Sequence, residues 1–145
     1  MPYQFYLVLH FLGIFLILTP LAGICFHMAA GGTREWPLRK FAAMLHGIGL
    51  VIALIAGFGL LAKLGMMKSL PPWAIGKLVI WLILGGLPAL LYRKGQMAKG
   101  WLFLVIGLAV LSGGLAAYKP GMSSDVAPTA PDATPSAVET PATAN

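Results

Sequence analysis

The chain has 145 residues, 59% of them apolar and 10% charged, with a mean hydropathy of +0.86, whereas an ordinary soluble domain is about 25% charged. That composition excludes a water-soluble fold. The net charge is +6, but basic residues bordering apolar runs orient membrane proteins before they mark a nucleic-acid surface, so no nucleic-acid partner is expected. The single cysteine, Cys25, has no partner for an intramolecular disulfide.

About 20 mostly apolar residues are needed for a helix to cross a hydrocarbon layer roughly 30 Å thick. Four stretches meet that length, from Tyr3 to Met28, Phe41 to Leu64, Trp73 to Tyr92 and Trp101 to Tyr118. The first carries no Lys or Arg before it and is too long for the apolar region of a signal peptide, so it is expected to remain in the mature protein. The connections are short and punctuated by turn-forming residues, Gly31-Gly32-Thr33-Arg34-Glu35-Trp36-Pro37, Lys68-Ser69-Leu70-Pro71-Pro72 and Arg93-Lys94-Gly95-Gln96. These features predict an all-α, polytopic membrane protein, with an antiparallel four-helix transmembrane bundle over residues 1–119. Residues 120–145, rich in Ala, Pro, Thr and Ser with no aromatic residue, are expected to form a disordered tail, since they have little apolar surface to bury.

Trp36, Trp73, Tyr92, Trp101 and Tyr118 stand at span ends, where an amphipathic ring can sit at headgroup level. The first and third connections hold Arg34, Arg39, Lys40, Arg93, Lys94 and Lys99, against Lys63, Lys68 and Lys119 at the other end. The basic excess places the first and third connections in the cytoplasm. In a bacterial inner membrane both termini are then periplasmic.

Helices in lipid associate by close contact between small residues. Gly49, Ala53 and Gly57 in the second span repeat at four-residue spacing, as do Ala109, Gly113 and Ala117 in the fourth, and both stripes read as packing seams. Pro20 and Pro88 lie inside the first and third spans. Each removes an amide donor and crowds the carbonyl four residues earlier, at Leu16 and Leu84, so kinks are expected there.

His10, His27, His46 and Lys77 are costly in hydrocarbon and are functional-site candidates for that reason. His27 and His46 each lie a few residues from the first basic connection, so they are expected at similar depth. Two neutral imidazoles there can ligate the iron of haem b axially, with Arg34, Arg39 and Lys40 placed to pair with its propionates. The bland reading of the same histidines is a hydrogen bond to a backbone carbonyl or a headgroup. At the opposite end His10 and Lys77 are also expected at similar depth. Lys77 either snorkels to water or faces inward to hold a carboxylate, a propionate or a quinone oxygen, with His10 as proton donor or acceptor. Glu35, the only acid before the tail, lies in a connection. Paired carboxylates within the spans, CxxC, HExxH, a nucleophile elbow and a phosphate-cradling loop are all missing from the sequence.

Three short motifs carry a resemblance: Leu7-Val8-Leu9-His10, Trp73-Ala74-Ile75-Gly76-Lys77-Leu78 and Leu84-Gly85-Gly86-Leu87-Pro88-Ala89-Leu90. With them most of residues 5–119 resembles the small four-helix bacterial membrane proteins of the SirB family and, more distantly, the HemJ-type protoporphyrinogen oxidases. In the HemJ-type proteins a His in the first helix and a Lys opening the third are associated with tetrapyrrole chemistry, and the matching positions are His10 and Lys77. Where the HemJ-like pattern has an Arg shortly before a Tyr-His pair, this chain has Phe26-His27 with no such Arg.

Two functions are open at this stage. One is a membrane protein that binds haem b or a porphyrin between its helices, through His27 and His46 as metal ligands or through His10 and Lys77. The other is a non-catalytic accessory or assembly subunit of a larger membrane complex, with structural histidines. No catalytic residue is assigned, and the lipid bilayer is the partner common to both.

Overall fold

The computed structural model describes residues 2–93 and 97–118. Lys94, Lys119 and the 120–145 tail lie outside them. Each of the four apolar stretches is a helix: α1 Tyr3–Ala29, α2 Arg39–Lys63, α3 Pro72–Arg93 and α4 Ala98–Tyr118, with a short 3-10 turn, Met66–Lys68, before α3. All four are long and apolar enough to cross a membrane. Helix α2 starts before its apolar stretch because Arg39 and Lys40 form its first turn, where hydropathy sees only their charge.

Helix ends follow from local chemistry. Gly31 (φ +81°) takes the left-handed conformation that side chains rarely adopt. Its amide donates to the Met28 carbonyl and that of Gly32 to the His27 carbonyl, the paired bonds that satisfy orphan carbonyls at a helix end. Gly65 (φ +70°) turns the chain after α2 in the same way, its amide donating to Ala62. Pro20 and Pro88 lie within α1 and α3, which run on through them.

The most extensive helix contact is α1 against α2, and it is a small-residue seam. A Cβ on Gly13 would come within 2.5 Å of the Ala53 amide nitrogen, and one on Gly49 within 2.8 Å of the Leu16 carbonyl carbon. Gly57 makes room for the His10 ring. Rising positions in α1 therefore meet falling positions in α2. Helix α4 is held differently: its backbone comes close to α1 and α3 but not to α2, and among the described residues Val105 is its one fully buried side chain, with Trp101, Leu102, Leu108 and Leu115 half-buried against the core.

The α4 stripe is not a seam. A Cβ on Gly113 would meet nothing within 4 Å, because Ala109, Gly113 and Ala117 face a cavity instead of a neighbouring helix. The aromatic residues at the span ends are covered to different degrees. Trp73 is 8% exposed, and Trp36, Tyr92 and Trp101 pack against the main core. Of the five, Tyr118 alone stands fully out, at 87%. The first connection is tied to α3 by the Trp36 hydrogen bond to the Tyr92 hydroxyl (3.1 Å).

Candidate functional site

A cavity of about 660 Å³ lies at the bundle end that holds the start of α1, the end of α2, the start of α3 and the end of α4. Its size is within the usual range for small-molecule and cofactor sites. The wall is apolar apart from a few groups, chiefly His10, Trp73, Lys77 and Ser112. The volume exists because α2 and α4 do not meet and because α4 presents Ala and Gly there.

His10 reaches the cavity from α1. Its Nδ1 lies 2.8 Å from the Ala53 carbonyl oxygen. A carbonyl only accepts, so Nδ1 carries the hydrogen, and in the neutral ring Nε2 is left as an acceptor. Lys77 sits one turn into α3, with Nζ 5.6 Å from the centre of the Trp73 ring, a cation held over a π-face. The Trp73 indole N–H is buried with no hydrogen-bond partner, an unusual state for a buried donor. The His10–Lys77 pairing that helix counting suggested is thus one wall of one cavity.

His46 lies elsewhere. It is 5% exposed, and its Nδ1 donates to the Ile17 carbonyl of α1 at 3.2 Å. The Leu84 and Gly85 carbonyls of α3 also approach its ring, but Nε2 makes no well-aligned hydrogen bond. Leu84 is the carbonyl that receives no amide hydrogen from residue 88, because that residue is Pro88. His46 therefore stands where α1, α2 and α3 meet. Trp81 adds a parallel tie, its indole N–H donating to the Leu50 carbonyl of α2 at 3.1 Å.

His27 belongs to the α1–α2 connection. Its Nε2 bonds the Thr33 carbonyl (2.9 Å), its ring stacks on Trp36 (centroids 4.7 Å apart, planes at 18°), and Gly32 packs against it so closely that a Cβ there would strike the ring. The structure does not bring His27 and His46 together. His46 contacts α1 at Ile17, ten residues from His27, which is about 15 Å along the helix. Two imidazoles on one haem iron need a common level, and this arrangement does not provide it. Nor is there, among the described residues, a group of three or more His, Cys, Asp or Glu side chains able to hold a metal ion. Arg34 and Lys40 are exposed at the bundle end with His27, and Arg39 is half-buried there, its guanidinium 5.9 Å from the centre of the Tyr92 ring.

Comparison of the chain with family models, characterised proteins and solved structures finds no match.

Sequence reasoning missed Trp73 as a cavity residue, since a tryptophan opening a span reads as an interfacial anchor. It also missed the role of Gly13, an isolated glycine with no spacing partner in α1 to draw attention.

Because His27 is fixed by three contacts to the loop, His27→Ala is expected to loosen that loop without unfolding the bundle. Limited proteolysis would show it as faster cleavage between residues 30 and 38, with a change in Tm of no more than a few degrees for a loss of about 1 kcal/mol. Equal cleavage rates would show that these contacts do not order the loop.

Proposed function

We propose that the protein is a multi-pass membrane protein that holds a porphyrin-type tetrapyrrole in the His10–Lys77 cavity. The observation that carries this reading is the cavity wall itself: a large apolar surface with Lys77 and His10 set into it. Such a wall suits a large apolar ligand with an acidic edge. Lys77 suits a propionate as a charge-assisted partner, and the His10 Nε2 suits a pyrrole N–H or, in haem b, the iron. The likeness of His10 and Lys77 to the HemJ-type positions points the same way. In this reading the helices cross an inner membrane antiparallel, with the Arg39 end in the cytoplasm and both termini in the periplasm.

The test is uptake of protoporphyrin and of haem by the detergent-purified chain, followed by the Soret band and by quenching of tryptophan fluorescence. Lys77→Gln is expected to weaken porphyrin binding about 10- to 100-fold, the worth of one charge-assisted hydrogen bond. Methyl-esterified porphyrin should bind the unaltered and Lys77→Gln chains alike. No uptake by the unaltered chain, or equal affinity for acid and ester, would remove the reading.

The accessory-subunit reading has one observation in its favour. Helix α4 buries little, and Phe103 and Val110 point outward, a face that a neighbouring subunit can cover as well as lipid can. A folded chain that takes up no porphyrin and co-purifies with a membrane complex through α4 would favour it.

A further inference from the structure

The cavity that holds His10 and Lys77 is enclosed unevenly. The helices stand in the cyclic order α1, α2, α3, α4, since each backbone approaches the next and the last approaches the first, while α2 and α4 stand apart. At the cavity end three of the four sides are closed by contact. Gly13 against Ala53 and Gly59 against the Tyr6 ring close α1 on α2. Leu61, Trp73 and Ala74 pack together between α2 and α3, and Leu115 of α4 lies against Gly76 of α3.

The α1–α4 side differs. Phe11 and Phe15 stand about 160° round α1 from Gly13, so they are turned away from α2. Gly113 and Ala117 stand about 160° round α4 from Leu115, turned away from α3. All four line the cavity and all four are exposed, whereas none of the cavity-lining residues of α3 is exposed. A Cβ on Gly113 would meet nothing within 4 Å, so two phenylalanine rings border a helix flank that has no bulk. Deeper in the bundle the same seam is shut, where Leu18, Leu102 and Val105 pack into the main core.

From this geometry we propose that the slot between Phe11 and Phe15 on α1 and Gly113 and Ala117 on α4 is a lateral entrance, through which the cavity's ligand passes directly from the bilayer. Phe11 and Phe15 lie about 12 and 18 Å along α1 from Tyr3, so in a hydrocarbon layer roughly 30 Å thick the slot opens toward acyl chains. A porphyrin dissolved in lipid then reaches His10 and Lys77 without crossing water. The exposed rings can turn aside within nanoseconds, and the Ala and Gly flank leaves width opposite them. What passes through the slot rests on the ligand reading given above, but the opening itself can be tested without porphyrin.

The experiment uses the full chain in phosphatidylcholine liposomes and has two arms. In the first, a bimane fluorophore is placed on Ser112→Cys, on the cavity side of α4, in a Cys25→Ala background, and the liposomes contain phosphatidylcholine with a nitroxide midway along its acyl chain. Quenching is expected to reach at least half of that at Val110→Cys, which faces outward, and to fall when Gly113→Trp fills the slot. In the second arm, protoporphyrin is transferred between liposomes and the chain. Gly113→Trp should slow uptake and release together, each by about tenfold or more, so that Kd barely moves. Gly114→Trp, outside the cavity lining, should change neither rate.

Quenching at Ser112 below a tenth of that at Val110 overturns the proposal, as does porphyrin transfer as fast in Gly113→Trp as in the unaltered chain. Faster release with weaker binding in Gly113→Trp also overturns it, by showing that position 113 belongs to the ligand's seat and not to its entrance. If the unaltered chain takes up no porphyrin, the ligand reading fails, and quenching at Ser112 still decides whether the bilayer reaches the cavity.

Discussion

A Gly13→Leu chain is expected to lose the α1–α2 pairing, with unfolding in detergent shifted by more than about 3 kcal/mol. Overpacking a close contact costs about 1–3 kcal/mol when flexible side chains can yield. At Gly13 the obstacle is backbone: an added Cβ lies 2.5 Å from the Ala53 nitrogen and 2.8 Å from its Cα, and neither can rotate away. The two helices must separate, and the His10 bond to the Ala53 carbonyl is lost with them. Gly23→Leu is the control, since a Cβ there meets nothing within 4 Å. Equal unfolding midpoints for the two variants would show that the seam is not where the bundle draws its cohesion.

The second large effect is expected at His46. His46→Ala removes the donor to the Ile17 carbonyl and leaves a space between α1, α2 and α3. A hydrogen bond between membrane helices contributes about 0.6–2 kcal/mol, and truncation of a buried side chain of this size brings the total to about 2–4 kcal/mol. The variant also separates two roles. If His46 clamps helices, the variant melts at lower temperature but each folded molecule takes up porphyrin or haem as before. If His46 is an axial ligand to haem b, the low-spin absorption bands disappear even in molecules that remain folded.

Four helices were legible because about 20 apolar residues admit little else in this composition, and the α2 seam was legible from the spacing of Gly49, Ala53 and Gly57. The same spacing in α4 misled. Small residues declare that a face has no bulk, and whether a helix or an open volume lies opposite depends on where α2 and α3 place their side chains. His10 and Lys77 were legible as a pair because both lie near the helix ends that meet at one end of the bundle. Counting from the loop failed for His27 and His46: α1 ends at Ala29, just past His27, whereas α2 begins at Arg39, so that His46 is two turns deep. The orphan indole of Trp73 was invisible because it depends on which neighbours surround the ring.

The uneven grip on the four helices also has a mechanical meaning. Helix α4 has one fully buried side chain, Val105, with Trp101, Leu102, Leu108 and Leu115 half-buried against the core, whereas α1 and α2 interlock along their backbones. Under tension applied at the C-terminal end of the chain, α4 is the first element to peel away at low force, α3 follows as its ties at Trp81 and Tyr92 give, and the α1–α2 hairpin is the last to rupture. The same order run in reverse is a route of assembly: the hairpin zips early in synthesis, and the helix that completes the cavity wall arrives last.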